Sequence, residues 1–328
     1  MSAIKVVFLD RGTLDRDLIL PRFSFVHHWT EYEHTTELQR EERLQGAVIA
    51  LTNKVRIDEP LLDACPDLAY IGVTATGTNV VDLVACRERG IVVTNVSGYS
   101  TNAVAEHVFM FILALRKRLK AYQQSIAEGH WQIAKQFIYY HDTILSLKGT
   151  TLGLVGTGTI AQACAQLAQA FGMKVLFHSP TGRVSVTVDE EEIPCVGLEQ
   201  LLRDADVVSI HTPLSDRTEK LIAADQLALM RRDALLINTA RGPIVDSAAL
   251  AEALLAERIA GAGIDVLPVE PPTDREPLLA LVNSPNLLMT PHTAWAALDA
   301  QQRLIEGIWS QIEDYVHGAP VHNLCDFV

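Results

Sequence analysis

This 328-residue sequence predicts an α/β protein built on two parallel sheets. Three observations carry the prediction. Short β-branched runs alternate with helix-like stretches along the chain. The runs are continuously apolar rather than alternating, as strands covered on both faces of a parallel sheet are. They also fall into two series, matching the two domains expected at about 150 residues per domain.

The first series is Ile4–Leu9, Ala47–Leu51, Leu68–Val73 and Ile91–Val96. The opening MSAIKVVFLDRG reads as its first strand and meets Asp10 and Arg11 too early for a secretory leader. His27 and His28 read as surface residues of this first domain. From Thr101 to about Lys120 the pattern is a long helix, capped by Ser100 or Thr101, where the first unit hands over to the second. The second series is Thr151–Val155, Lys174–His178, Asp206–His211, Ala234–Thr239, Gly263–Val266 and Leu287–Thr290, with helices over Ala161–Phe171 and Ser247–Glu257. A last helix, Trp295 to about His317, is amphipathic and long enough to return to the first unit. The expected division is therefore 1–99, then 100–294, with 295–328 completing the first domain and making it discontinuous.

Forty acidic against 27 basic residues give a net charge of −13, which argues against nucleic acid or an anionic membrane as partner. Hydrophobic content of 48% with 20% charged excludes a disordered chain. The longest apolar run, Val108 to Leu115, is far short of the ~20 residues that span a bilayer. Cys65, Cys86, Cys164, Cys195 and Cys325 are scattered without metal-like spacing, so the expectation is buried thiols in a reducing cytoplasm and no metal.

The strongest local signal is TLGLVGTGTIAQACAQLAQAFGMKVLFHS, a strand, a GxGxxA turn, a helix and a second strand. Gly156 permits the tight turn, Gly158 lets the backbone approach a pyrophosphate, and Ala161 allows close helix–strand packing. Amides at the helix start then face phosphate, with the helix dipole favouring its charge. At the end of the second strand an acid ordinarily binds the adenosine ribose hydroxyls. Here stand His178 and Ser179, with Arg183 close by, which removes repulsion of a 2′-phosphate and offers it a partner. The expected cofactor is NAD(P), leaning to NADP(H) or dual use.

Three further segments place Arg241, Asp265 with Glu270, and His292 just beyond strand ends, where open parallel sheets bind ligands. An Arg grips a carboxylate, a His exchanges a proton with the neighbouring oxygen, and an acid tunes the His. With Thr74–Asp82, Asn95–His107, the glycine loop, Asn238–Gly242, Gly263–Val266 and Pro291–Trp295, the chain resembles the D-isomer-specific 2-hydroxyacid dehydrogenases along nearly its whole length. Within them it is most similar to the glycerate dehydrogenase/hydroxypyruvate reductase branch.

The resemblance implies two Rossmann-like or flavodoxin-like domains and hydride exchange between NAD(P)H and a small 2-oxo acid. Arg241 would bind the substrate carboxylate, His292 would donate the proton, and Glu270 would hold its tautomer. Ala75, Thr76 and Gly77 would supply backbone amides to the carboxylate, and Trp295 a pocket wall. Thr159 and Ile160 would meet the pyrophosphate, Asp265 and the Thr239 carbonyl the carboxamide, and Val104 the nicotinamide ring, with His211 and Ala240 also lining the cofactor. The aromatic stretch Trp131–His141 would lie in an arm that packs on a partner subunit, giving a homodimer. The same fold also serves nucleotide-sensing corepressors and phosphoglycerate and formate dehydrogenases. An intact Arg241, Glu270 and His292 favours an enzyme, Pro291 stands where formate dehydrogenases carry glutamine, and few residues follow His317.

Overall fold

The computed structural model describes residues 3–328. It divides into two compact units, one holding the chain up to Ser100 together with Ala296–Val328, the other Thr101–Trp295.

The first unit carries β1 (Ile4–Phe8), β2 (His27–Glu31), β3 (Ile49–Thr52), β4 (Tyr70–Val73) and β5 (Val92–Asn95), all parallel, in the order β2-β1-β3-β4-β5. This is the flavodoxin-like order, whose switch point lies between β1 and β3. Strands β3 and β4 are buried at every position, as their unbroken apolar runs require. The edge strand β2, HHWTE, has no apolar run and was not legible as a strand; it places His27 half-buried and His28 exposed. The returning helix spans Leu298–Val316, beginning three residues after Trp295, which belongs to the other unit. Its buried residues Ala300, Leu304, Ile305, Ile308, Trp309 and Ile312 form one stripe at helical spacing. Trp309 stacks on Phe23 at 5.0 Å and Tyr315 meets Tyr70 at 4.8 Å.

The second unit carries β6 (Thr151–Val155), β7 (Lys174–His178), β8 (Ser185–Val188), β9 (Glu191–Pro194), β10 (Val207–Ile210), β11 (Leu235–Asn238), β12 (Gly261–Ile264) and β13 (Leu287–Met289). Six of them form a parallel sheet ordered β13-β12-β11-β10-β6-β7, while β8 and β9 pair as a separate antiparallel hairpin. The strand order reverses between β6 and β10, the position where a Rossmann-like sheet opens its ligand crevice. The long helix runs Thr101–Arg116 and stops four residues short of the expected Lys120, because Arg118 turns left-handed (φ +54°) before a second helix, Leu119–Ala127. Phe111 on that first helix presses so closely on β12 that a Cβ on Gly263 would lie 2.6 Å from its ring.

Candidate active site

Each catalytic candidate of the second unit follows the carboxyl end of a strand. At β6 the chain enters Gly156 at φ +120°, and a Cβ there would lie 2.4 Å from the His211 carbonyl oxygen, so only glycine closes this turn. Gly158 is exposed and opens the Thr159–Ala170 helix without any side-chain cap. A Cβ at Gly158 would meet nothing within 4 Å. The first-turn amides of Thr159 and Ile160 thus face an open cradle without a competing acceptor, and Ala161 is fully buried against the sheet. Nearby, at the end of β11, the Thr239 hydroxyl is buried without a hydrogen-bond partner. An open amide cradle at the switch point and an orphaned hydroxyl at the same carboxyl edge of the sheet fit a nicotinamide dinucleotide.

Beyond β7, Ser179 is buried and its hydroxyl accepts the Arg183 amide at 2.9 Å, closing the 179–183 turn. Arg183 itself is exposed, with no ion pair among the described residues. His178 donates from Nδ1 to the Val196 carbonyl at 3.0 Å, leaving Nε2 as its second nitrogen. His211 follows β10; burial pushes its imidazole down to about 4, and its Nε2 lies 2.8 Å from the Ser209 hydroxyl. Val104 is buried on the Thr101–Arg116 helix.

Arg241 is exposed just past β11 and its turn is laced by Asn238, whose amide nitrogen donates to the Arg241 carbonyl at 3.0 Å and whose oxygen accepts the Ala240 amide at 3.0 Å. The next residue packs backbone to backbone against a neighbouring loop: a Cβ on Gly242 would lie 2.0 Å from the Leu267 carbonyl carbon. Leu267 in turn donates its amide to Glu270 Oε1 at 2.8 Å, and Glu270 Oε2 accepts from His292 Nδ1 at 2.6 Å. Since a carboxylate only accepts, the proton of this bond is on Nδ1, and Nε2 is left for a reacting oxygen. The guanidinium turn, the acid and the imidazole are therefore joined through Gly242 and Leu267. Asn238 stands in the sequence only as part of a motif, with no role assigned, and Leu267 has no signal at all; a glycine directly after the Arg is the only hint of the close approach.

Asp265 is 2% exposed, and both its oxygens are engaged by the segment that carries His292. Oδ1 accepts the Thr290 hydroxyl at 2.5 Å and the Thr293 amide at 2.8 Å, and Oδ2 accepts the Ala294 amide at 3.0 Å. Oδ2 thus accepts one hydrogen bond and has acceptor capacity for another. Trp295, half-buried, ends the segment. In the first unit, Ala75, Thr76 and Gly77 form the bend after β4, with the Thr76 carbonyl accepting from Asn95 at 2.5 Å. A separate cleft of about 800 Å³, lined by Arg116, Arg118, Asp142, Ala260 and Asn286, lies at the amino ends of β11, β12 and β13, opposite the edge that bears His292.

The profile of the D-isomer specific 2-hydroxyacid dehydrogenase NAD-binding domain matches residues 109–294. The chain belongs to that family. It is an oxidoreductase that uses a nicotinamide cofactor on a small 2-hydroxy or 2-oxo acid. A glycerate dehydrogenase from Methylorubrum extorquens is 43% identical over 317 residues, spanning 96% of this dehydrogenase and 97% of the relative. Among solved structures, the D-lactate dehydrogenase of Aquifex aeolicus complexed with NAD and lactic acid has TM-score 0.80 and 28% identity, covering 95% of this chain and 96% of its own. An acyclic imino acid reductase (Bsp5) in complex with NADPH and D-Arg also has TM-score 0.80, with 27% identity over 98% of this chain and 100% of its own.

Proposed function

We propose that this dehydrogenase is a glycerate dehydrogenase/hydroxypyruvate reductase, reducing hydroxypyruvate first and glyoxylate second. The observation that carries the reading is the Glu270–His292 pair at 2.6 Å, joined through Leu267 to the turn that presents Arg241. Arg241 binds the substrate carboxylate and polarises the adjacent carbonyl, helped by the backbone amides of Ala75, Thr76 and Gly77. His292 enters the reduction as the imidazolium, with a proton on each ring nitrogen. It gives the Nε2 proton to the carbonyl oxygen and is left neutral with its Nδ1 proton on the Glu270 bond, and Glu270 fixes the ring for that transfer. The dihydronicotinamide, when bound, supplies the hydride. Gly156, Gly158, Thr159 and Ile160 hold the pyrophosphate, Asp265 and Thr239 the carboxamide, and Val104, His211 and Ala240 line the cofactor. Trp295 shortens the pocket, and its indole N–H serves a terminal hydroxyl.

The cofactor reading is NADPH at least equal to NADH, supported by a neutral Ser179 and an unpaired Arg183 where an acid would repel a 2′-phosphate. The assembly reading is a homodimer. Between Gly129 and Gly149 the chain shows Phe137, Tyr140 and Ile133 at 90%, 74% and 73% exposure, apolar area that a second copy would cover. Sedimentation at micromolar concentration should give a dimer. Five free thiols suit a reducing cytoplasm, and among the described residues no helix is long and apolar enough to cross a membrane. The deciding experiment is a rate survey over hydroxypyruvate, glyoxylate, pyruvate and phenylpyruvate with NADH and NADPH. Phenylpyruvate outrunning hydroxypyruvate would remove the short-pocket reading.

A further inference from the structure

His292 holds a backbone φ of +56°, a left-handed conformation that is strained for a non-glycine residue and persists only where its surroundings impose it. What imposes it is Asp265. Its carbonyl accepts the His292 amide at 2.8 Å, while its carboxylate grips Thr290 on one side of His292 and Thr293 and Ala294 on the other. A single buried carboxylate thus sets the loop that aims the imidazole.

That carboxylate is itself held. His107, on the Thr101–Arg116 helix, places Nε2 2.9 Å from the Thr290 hydroxyl. Thr290 has one hydroxyl proton, and at 2.5 Å it is committed to Asp265, which only accepts. His107 must therefore donate, so its proton is on Nε2. Burial holds its pKa below the usual histidine range, which keeps it neutral, although the Asp265 charge at 3.8 Å pulls the other way. The ring stands edge-on to Phe111 at 4.8 Å, and Phe111 is wedged against Gly263 of β12, so the donor is fixed relative to the strand that bears Asp265.

We infer that His107 and Thr290 are positioning residues: the chain of donors His107 Nε2–H to Thr290 Oγ–H to Asp265 Oδ1 locks the carboxylate that holds His292 in its working conformation. The inference rests on His292 as proton donor and adds the residues that aim it. Neither residue touches substrate in this scheme, so their loss should fall on kcat and spare the substrate carboxylate grip of Arg241, with NADH binding weakened only through the Asp265 contact to the carboxamide.

The test is steady-state kinetics with hydroxypyruvate and NADH. Thr290→Val and His107→Leu should each lower kcat at least tenfold while the KM for hydroxypyruvate, set by Arg241, stays within twofold. The double variant should be no worse than the poorer single one, because both break the same chain. Thr290→Ser and His107→Gln, which keep a donor, should recover most of the loss, an outcome that lost packing alone would not give. Folded single variants with kcat within twofold of wild type would overturn the inference, as would losses that multiply independently. Nitrogen-15 NMR of the wild-type protein needs no variant: His107 should show a protonated Nε2 and a bare Nδ1, and the opposite tautomer overturns the chain of donors. His292→Ala run alongside keeps the two readings apart, since normal turnover there would sink the proton path whatever the Thr290 and His107 variants do.

Discussion

The two units are built alike and equipped differently. Both are parallel sheets with buried strands, yet among the described residues of the first unit every left-handed backbone position is a glycine: Gly46, Gly90, Gly98 and Gly318. In the second unit seven non-glycine residues take positive φ, His292 among them. The strand-end bend of the first unit, Ala75-Thr76-Gly77, offers backbone groups and no ionisable side chain. The strand ends of the second offer Arg241, Asp265, Glu270 and His292. A shared architecture thus does not spread chemistry evenly. The first unit has a strand-end carboxylate as well, Asp10 after β1, 4% exposed and accepting the amides of Asn53, Lys54 and Val55. It braces no non-glycine residue at positive φ, whereas in the second unit Asp265 braces His292.

The sharpest way to break this contrast is to remove the ionisable groups. His292→Ala and Arg241→Ala should each cost about 10²- to 10⁴-fold in kcat, the range of a general acid, with NADH binding by fluorescence titration unchanged. A variant of either kind that keeps wild-type turnover would move the chemistry elsewhere. Gly242→Ala comes next. The added Cβ would overlap backbone, 2.0 Å from the Leu267 carbonyl carbon, and no rotamer change relieves that. It should destabilise the protein by about 3 kcal/mol and depress kcat, because the Arg241 turn and the Glu270 loop cannot both keep their places. Gly158→Ala, which meets open space, should leave the unfolding midpoint alone and weaken cofactor binding instead.

These residues also show what could be read in advance. The glycine turn, the strand series and the order Arg241, Glu270, His292 were legible because each is a local pattern: apolar runs, a fixed spacing, an ionisable residue after a strand. Strand β2 was not, because an edge strand needs no apolar run and HHWTE has none. Hairpin β8–β9 was missed although Ser185–Val188 alternates polar and apolar; its turn uses Asp189 and Glu190 at φ +46° and +70° rather than the glycine or asparagine that would have flagged it. The ties that aim the site were invisible for a different reason. Asp265 reaches Thr290, and Thr290 reaches His107 183 residues away, through single hydrogen bonds that leave no periodicity in the sequence.

A pH test sharpens the contrast from the side of stability. Burial lowers the His211 pKa from 6.5 to about 4, so the folded protein favours the neutral ring while the unfolded chain takes up a proton below 6.5. The stabilisation is complete above pH 6.5 and is lost as pH falls toward 4, at roughly 1.4 kcal/mol per pH unit within that window. The protection factors of the β6 and β10 amides, corrected for the pH dependence of intrinsic exchange, should fall accordingly. His211→Gln should flatten that slope; an unchanged slope would assign it to other groups.

The smallest expected effect concerns the one place where the second unit lacks a charge its chemistry ordinarily uses. Ser179 accepts the Arg183 amide at 2.9 Å, and an aspartate in its place can accept the same bond, so Ser179→Asp should keep the 179–183 turn. What changes is charge. A carboxylate would bind the two ribose hydroxyls of NADH and repel the 2′-phosphate of NADPH in a buried setting, while Arg183 would turn from a free phosphate partner into a partner of the new acid. The ratio of kcat/KM for NADH over NADPH should rise roughly tenfold, the equivalent of ~1.4 kcal/mol. The wild type should use NADPH at least as well as NADH. A wild type strongly selective for NADH, with a ratio that Ser179→Asp leaves alone, would mean that the shape of the turn and not its missing charge chooses the cofactor.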